Sequence, residues 1–371
     1  MYNNDVQRIC ELISAGHVEE AVHICMEYFR FRFSGGRLII PENSPAWKID
    51  RSRLAWLYSV IGTYFQFYGP QEKACCFFKE VSKMSEGLSI RWKYYGKYLF
   101  NAHYLFMSPK EYFHAHQEYN GLFRDIWQFS HDREMHSRHK KIRLGYLSGD
   151  FKRHVVLLFI WALLTRYDRN RFEVYCFFTG GKEDEFSNEI KKCVDHWIRL
   201  DPVETPQAAR EICSREIDIL FELGGHAGKN LPILAYKPAP VQVCGIGYFA
   251  TTGLRTVDYF LTDKYLMQDG GGEYFVEQPL VMSHSHFCFS PLNDMPKEVK
   301  GAPCKRKGYI TFGSFNDPLK INDFVLKTWQ TILSSVPQAR LLLKGRALDS
   351  GYGRSNMVSR LEKAGIAADR V

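Results

Sequence analysis

The feature that most constrains the fold of this chain is a change of hydrophobic period near residue 141. Before it, apolar residues recur at helical spacing, as in Val6, Ile9 and Ile13. After it, short runs rich in β-branched and aromatic residues alternate with helical stretches; the runs are 142–147, 173–178, 197–200, 217–223, 241–246 and 257–261. Because right-handed crossovers place helices on both faces of a parallel sheet, this alternation predicts an α/β fold behind an α-helical region.

Residues 1–138 are predicted to be helical. Two amphipathic stretches flank Ala15 and Gly16 and predict a helical hairpin, for which a tetratricopeptide-like repeat and an ordinary αα-hairpin are both consistent. A Gly-, Pro- and Ser-rich loop over 33–46 follows, and further helical stripes come after it. Ser108 and Glu111 have the spacing of a capping box, which predicts another helix running towards Phe123.

Two Rossmann-like lobes are expected after the helical region. The first covers 139–290 and a Pro- and Lys-rich linker covers 291–308. Residues 309–371 then supply two strands and two helices in βαβα order. That is about half of a doubly wound lobe, so the second lobe is predicted to be incomplete.

Composition excludes several classes of protein. Lys and Arg number 49 against 41 Asp and Glu, a net charge of +8 in 371 residues, which suits an anionic ligand without implying nucleic acid. Since no apolar run approaches about 18 residues and no secretory signal is present, we expect no membrane span and a cytoplasmic location. The ten cysteines are scattered without a CxxC pair, which predicts reduced, buried thiols and no zinc site.

Ligands of open parallel sheets bind beyond the carboxyl ends of the strands, so the loops there are the candidate sites. The loop after the first strand, 148–154, has Asp150 and His154 four residues apart. An imidazole oriented by a carboxylate can act as a base or donate a hydrogen bond to a phosphate or hydroxyl. The alternative is that Asp150 caps a helix and His154 is an ordinary surface residue.

Three further loops carry suitable groups. Residues 222–228 form a glycine-rich turn around His226, and 247–253 offer the hydroxyls of Thr251 and Thr252 before Gly253. Residues 313–320, after the first strand of the second lobe, include Asn316 and Lys320, and a lysine is well suited to a diphosphate. On these residues alone, plain turns and an exposed lysine at a helix start are equally consistent.

These loops, in this order, resemble the O-linked N-acetylglucosamine transferase family, glycosyltransferase family 41, which includes the plant SPINDLY-type enzymes. The resemblance rests on IRLGYLSGDFKRH, IDILFELGGHAGKN, KPAPVQV followed by GYFATTG and DYFLTD, and ITFGSFNDPLK. It begins near Tyr98 and extends to the last residue, about three quarters of the chain.

The resemblance implies a GT-B enzyme that moves a sugar from a nucleotide donor to Ser or Thr of a protein, with inversion and without a metal ion or cofactor. The donor implied is UDP-N-acetylglucosamine. It associates Asp150 and His154 with acceptor activation, and His226 with a loop on the acceptor side. The implied donor-binding residues are Lys320, Asn316, Thr251, Thr252 and Gly253.

The chain also departs from the family pattern. Val155 stands where a proline is usual and Ala227 where a threonine is usual. The family continues beyond the point equivalent to Val371 with the other half of the donor lobe, so we expect little transfer by these residues alone. Alternatives are an O-fucosyltransferase using GDP-fucose, a non-catalytic peptide-binding scaffold, and a GT-B enzyme for lipids or small molecules. Homo-oligomerisation is left open.

Overall fold

A computed structural model describes residues 4–132, 136–291 and 301–371. Most of the predicted linker, 292–300, lies outside the described residues. The chain divides into two compact units, each discontinuous in sequence. The first takes in the described parts of Met1–Gly87, Asn101–Phe106 and Pro296–Val371, and the second those of Leu88–Phe100 and Met107–Met295. The linear boundaries at 138, 290 and 308 stay predictions.

The first unit begins with helices and a small hairpin. Its elements from the N-terminal region are α1 (Asn4–Ser14), α2 (Val18–Tyr28), β1 (Arg32–Ser34), β2 (Arg37–Ile39), α3 (Arg51–Tyr68) and α4 (Gln71–Met84). The expectation of a plain loop over 33–46 is corrected, because β1 and β2 pair antiparallel across Gly35 and Gly36. Both glycines have positive φ, 55° and 70°, which two-residue hairpin turns require.

Aromatic side chains fill the helical core of this unit. Phe77 of α4 is fully buried and lies 5.3 Å, centroid to centroid, from Tyr58 of α3 and 5.6 Å from Phe31. Both contacts are edge-to-face, the arrangement that the ring quadrupoles favour. The stripes read from the sequence therefore mark the buried faces of α3 and α4.

The remainder of the first unit is a short parallel α/β element. It consists of α11 (Cys304–Lys307), β10 (Thr311–Ser314), α12 (Asp323–Ser335), β11 (Arg340–Leu343) and α13 (Gly351–Lys363). The strands β10 and β11 pair in parallel, with Thr311 opposite Arg340. Leu326 and Leu333 of α12 pack with Leu341 and with Leu361 of α13. The predicted βαβα order is confirmed.

The second unit contains the large sheet. Its elements are α5 (Leu88–Ala102, the last two residues belonging to the first unit), α6 (Pro109–Gly121), β3 (Ile142–Ser148), α7 (Leu157–Thr165), β4 (Phe172–Phe178), α8 (Glu185–Cys193), β5 (His196–Arg199), α9 (Thr205–Ser214), β6 (Ile219–Glu222), α10 (Leu231–Leu234), β7 (Val241–Gly245), β8 (Tyr259–Asp263) and β9 (Gln278–Met282). The capping box at α6 is present, with the Glu111 N–H donating to Ser108 Oγ at 3.3 Å and the Ser108 N–H to Glu111 Oε2 at 2.9 Å.

The seven strands are all parallel, in the order β5-β4-β3-β6-β7-β8-β9. The predicted α/β fold with a parallel sheet is confirmed. The strand that the sequence did not indicate is β9, which contains Pro279 and is largely exposed. Proline has no N–H to donate, so it is tolerated at a sheet edge, which is where β9 lies.

Aspartates connect the amino ends of neighbouring strands. Asp195, Asp218 and Asp258 precede β5, β6 and β8. Each accepts a hydrogen bond, at 2.7–2.8 Å, from a backbone N–H at the start of an adjacent strand; the donors are Val174, Arg143 and Gln242 respectively. A carboxylate therefore satisfies N–H groups at this edge that would otherwise lack a strand partner.

Two sequence expectations concern the whole chain. All ten cysteines are free, as expected, but Cys304 is exposed, so the expectation that the thiols are buried is wrong there. Within 4–132, 136–291 and 301–371, no helix is long and apolar enough to cross a membrane.

Candidate functional site

The loop after β3 brings Asp150 and His154 together. The Asp150 Oδ2 to His154 Nδ1 distance is 3.5 Å, and the side chains are 29% and 42% exposed, so solvent and a substrate can reach both. Asp150 is not a helix cap, because the residue before α7 is Val156 and no side chain caps that helix. The alternative assignment of Asp150 is thereby removed, while the catalytic assignment stays a prediction.

His154 Nδ1 lies between two groups that favour opposite protonation states. The Val156 N–H approaches Nδ1 at 3.3 Å and requires a lone pair there, whereas the Asp150 carboxylate favours a proton on the same atom. If Nδ1 carries the proton, Nε2 is a base; if Nδ1 accepts, Nε2 is a donor. The loop therefore permits both roles considered for this imidazole.

The loop after β4 anchors this loop. The Lys152 ammonium donates to the Gly180 carbonyl at 3.3 Å, and the Arg153 N–H donates to Asp184 Oδ2 at 2.7 Å. Asp184 also caps α8, where its Oδ1 accepts the Ser187 N–H at 3.1 Å. These bonds position the segment on either side of the Asp150 and His154 pair.

A fully buried carboxylate supports the loop after β6. Glu222 accepts the N–H groups of Gly224 at 3.0 Å and Gly225 at 2.6 Å, and Cys244 and Asn230 also donate to it. Burial raises the pKa of Glu222 to about 7, although these hydrogen bonds oppose the rise. The glycine turn predicted here is thus built around an internal carboxyl group.

His226 lies inside this turn and is buried. Its Nε2 donates to the Thr252 carbonyl at 2.9 Å, which joins the loops after β6 and β7. The rings of Tyr119, His116 and Tyr248 lie within 4.7–5.3 Å of its ring centroid. The structure therefore brings His226 together with Thr252, and its assignment to an acceptor-side loop stays a prediction.

The hydroxyls of Thr251 and Thr252 point to a second buried carboxylate. Thr251 Oγ1 donates to Glu277 Oε2 at 2.6 Å, and both the N–H and the hydroxyl of Thr252 donate to Oε1, the N–H at 2.7 Å. Burial raises the pKa of Glu277 above its ordinary value. These hydroxyls hold the loop in place, and the predicted sugar contact is not tested by this geometry.

Gly253 fits where a side chain does not. Its φ is +80°, and a Cβ atom would lie 2.2 Å from the carbonyl oxygen of His116 in α6. Any other residue would be strained in backbone and would also collide. The glycine thus permits the loop after β7 to lie directly against α6.

In the first unit, a cavity of about 1130 Å³ lies at the carboxyl ends of β10 and β11. Asn316 lines it, and so do the cationic side chains of Lys344, Arg346 and Arg354. Lys320 follows on the helical turn Pro318–Lys320 and is exposed. The structure therefore places Asn316 and Lys320 in the first unit and the other predicted site residues in the second.

Several of these residues were missed in the sequence. Glu277 and His116 are single polar residues within otherwise unremarked segments, and only tertiary packing brings them beside the loops after β6 and β7. His116 Nε2 lies 2.9 Å from the Tyr248 hydroxyl. Lys344 and Arg346 flank a glycine directly after β11, a pattern that attention to strand ends would have found.

Known proteins resemble this chain as follows. The profile of glycosyl transferase family 41 matches residues 120–300. A protein of Solanum lycopersicum named probable UDP-N-acetylglucosamine–peptide N-acetylglucosaminyltransferase SPINDLY is 32% identical over 265 residues, 70% of this chain and 28% of the relative. Its Arabidopsis thaliana counterpart is 33% identical over 265 residues, 70% and 29%. The chain thus spans under a third of these relatives.

A solved structure extends the likeness in fold. A mutant of the Thermobaculum terrenum O-GlcNAc transferase matches with a TM-score of 0.77 at 23% sequence identity, over 100% of this chain and 74% of that one. At that identity the match shows a shared fold.

Proposed function

Because this chain belongs to glycosyl transferase family 41, we propose that it forms part of a protein O-glycosyltransferase. The donor is a nucleotide sugar, UDP-N-acetylglucosamine, and the acceptor is a Ser or Thr hydroxyl of a protein. The transfer inverts the anomeric carbon and uses no metal ion or cofactor. The SPINDLY relatives carry this donor and a peptide acceptor in their names, which supports both assignments.

The proposed step is a displacement at the anomeric carbon. The acceptor oxygen forms a bond to that carbon as the bond to the diphosphate oxygen breaks, and UDP leaves with the electron pair. The hydroxyl proton passes to a base, either directly or through water. A site for this reaction must therefore position a hydroxyl, accept a proton and stabilise negative charge on the leaving diphosphate.

The observation that carries the proposal is the Asp150 and His154 pair at the carboxyl end of β3. The exposed imidazole can contact the acceptor hydroxyl, and the carboxylate 3.5 Å from Nδ1 favours the tautomer with a basic Nε2. His154 is then the residue that contacts substrate, and Asp150 orients it. The family resemblance and the sheet-end location of the loop support the same assignment.

On the donor side, the proposal assigns cationic and polar groups to the diphosphate. Lys320 supplies a compact positive charge, and Asn316 an amide, after β10. Lys344 and Arg346 line the cavity at the ends of β10 and β11 and add positive charge there. Thr251, Thr252 and Gly253 form the loop assigned to the sugar.

The test is transfer of labelled N-acetylglucosamine from UDP-N-acetylglucosamine to protein acceptors, with GDP-fucose as the competing donor. It is run on this chain and on the complete product of its gene. We expect His154→Ala to lower transfer by about 100-fold or more, the contribution of a general base. The control is His196→Ala, a half-exposed histidine that pairs with Glu173 elsewhere on the sheet.

Two results would contradict the proposal. Transfer that is equal in the His154→Ala and His196→Ala proteins would remove His154 from the site. Specific binding of an acceptor peptide, unchanged by His154→Ala and without transfer from either nucleotide sugar, would identify a peptide-binding scaffold instead.

A further inference from the structure

A cluster of two histidines and an aspartate lies at the amino end of the large sheet. His136 Nδ1 is 2.7 Å from Asp218 Oδ1, and His139 Nδ1 is 3.1 Å from the same oxygen. The three ligand atoms all lie within 4.8 Å of one another. We propose that His136, His139 and Asp218 form a binding site for a divalent transition metal ion, zinc above all.

The spacing suits coordination. His136 and His139 are three residues apart around a helical turn, where the His139 N–H donates to the His136 carbonyl at 3.3 Å, so both imidazoles face one side. Zinc–ligand bonds of about 2.0–2.2 Å place the ligand atoms of a tetrahedral site about 3.2–3.5 Å apart. The two nitrogen–oxygen distances, 2.7 and 3.1 Å, lie within about 0.6 Å of those separations, and the two nitrogens lie within 4.8 Å of each other.

The donor set selects the metal. Two imidazole nitrogens and one carboxylate oxygen suit Zn²⁺ and its transition-metal neighbours, whereas Mg²⁺ and Ca²⁺ prefer oxygen ligands throughout. The side chains of His136, His139 and Asp218 are only 12%, 9% and 18% exposed, so they are largely shielded yet still reachable. A water molecule would complete four-coordination.

The surrounding groups orient the ligands. His139 Nε2, on the far side of its ring, lies 3.1 Å from Glu216 Oε2, and the Arg143 guanidinium holds that carboxylate at 2.9 Å. Asp218 Oδ2 accepts the Arg143 N–H and also lies 3.2 Å from His139 Nδ1, while Oδ1 faces both imidazoles. A histidine whose second nitrogen contacts a carboxylate is the usual arrangement around protein-bound zinc.

The position of the cluster indicates a structural role. Asp218 precedes β6 and Arg143 is the second residue of β3, whereas Asp150 and His154 follow the far end of β3, whose seven residues span about 20 Å. The metal would therefore fasten residues 136–141 to two central strands and take no part in glycosyl transfer. The cysteine spacing that argued against zinc does not bear on a site made of histidine and aspartate.

The test is metal binding by the tag-free chain. Dialysis against micromolar Zn²⁺ followed by elemental analysis should find one tightly held ion per chain, and zinc should raise the melting temperature. We expect His136→Asn and His139→Asn each to weaken zinc binding by about 100-fold or more, since even the loss of a group that only hydrogen-bonds a metal ligand costs about 10–100-fold. The matched control is His196→Asn, since His196 also contacts a carboxylate, Glu173 at 2.8 Å, at the same edge of the sheet.

The double variant His136→Asn/His139→Asn distinguishes zinc held at this site from zinc held by the ten thiols, because only the thiols remain in it. Circular dichroism confirms that each variant folds. With Co²⁺ as a second probe, the visible bands of nitrogen and oxygen ligation should be lost in the double variant. The proposal is overturned if the unmodified chain retains no more zinc than the double variant, or if its Co²⁺ spectrum shows thiolate ligation. Both readouts are independent of glycosyl transfer.

Discussion

The two ends of the same sheet handle carboxylates in opposite ways. At the amino end, two carboxylates accept hydrogen bonds from cationic side chains and form ion pairs. Asp195 pairs with Arg169, and Glu216 pairs with Arg143. At the carboxyl end, Glu222 is buried among two backbone N–H groups, a thiol and an amide. One end is fastened by charge pairs near solvent, and the other by an internal acid that gives its loop its shape.

The pKa directions follow this division. The hydrogen bond from His139, with Arg143 beside it, holds the pKa of Glu216 below its ordinary value. For Asp195 burial works the other way, but hydrogen bonds from the Val174 N–H and the Tyr167 hydroxyl lower its pKa overall. At the carboxyl end the balance is reversed for Glu222, because burial raises its pKa despite its hydrogen bonds. This buried acid therefore positions its loop at a desolvation cost that its partners do not offset.

The largest expected effect of a single change is at Glu222. Its four hydrogen-bond partners are all donors, so the amide of Glu222→Gln would direct N–H groups at other N–H groups. We expect this change to lower the free energy of unfolding by about 3 kcal/mol, measured by urea denaturation. Asp195→Asn at the opposite end keeps an acceptor oxygen for the Val174 N–H and should cost about 1 kcal/mol. Equal losses of unfolding free energy in the two variants would contradict the difference drawn between the two ends of the sheet.

An intermediate effect is expected in the pH dependence of stability. Because folding raises the pKa of Glu222 from 4.5 to about 7, its contribution is fully present below pH 4.5 and is lost as the pH rises through 7. The lowered pKa values of Glu216 and Asp195 act in the opposite sense, since their contribution is present above their ordinary values and is lost as the pH falls. Between pH 5 and 8 the contribution of Glu222 to the unfolding free energy should therefore decline by on the order of 3 kcal/mol.

The matched measurement is the same pH series on Glu222→Gln, because the difference in unfolding free energy between the unmodified protein and the variant isolates Glu222. That difference should fall as the pH rises from 5 to 8, although the variant is less stable throughout. A decline that is identical in the unmodified protein and the variant would assign it to other groups.

The smallest expected effect on stability is at Asp150. Since this carboxylate is partly exposed and 3.5 Å from His154, Asp150→Asn should change the free energy of unfolding by less than about 0.5 kcal/mol. It should nevertheless shift the His154 tautomer towards Nε2–H, because the Val156 N–H then decides the state of Nδ1. Nitrogen-15 NMR of the imidazole measures the ratio. The control is Glu185→Gln, an exposed carboxylate paired with Arg153; an unchanged ratio in Asp150→Asn would show that Asp150 does not orient His154.

The sequence predicted the parts of the fold that follow from local pattern. The change of period near residue 141 located the strands β3 to β8, and the capping box at Ser108 located the start of α6. The edge strand β9 was missed, because its Pro279 and exposed residues lack the alternation of a half-buried strand. The hairpin at Gly35 and Gly36 was missed because its strands are only three residues long.

In the candidate site, too, the residues that are close in sequence could be predicted and those that are distant in sequence could not. Asp150 and His154 are neighbours in sequence, so their loop could be predicted as a unit and the structure brings them together. The support from Glu277 comes from a residue about 25 positions beyond Thr252, and that from His116 lies more than 100 positions before Tyr248. Contacts across such distances depend on the tertiary arrangement of the sheet, which spacing and composition do not encode.

The strand order also has a consequence for synthesis of the chain on the ribosome. β3 pairs with β4 on one side, but its other neighbour is β6, since Leu144 pairs with Ile219 about 75 residues later. At about 5–20 residues per second, that interval corresponds to roughly 4–15 s of translation. Throughout it, one side of a largely buried strand has no partner to hydrogen-bond. The nascent chain therefore presents an interior strand of the finished sheet as an unpaired edge that is prone to aggregation, and a chaperone that covers this segment would act in that window.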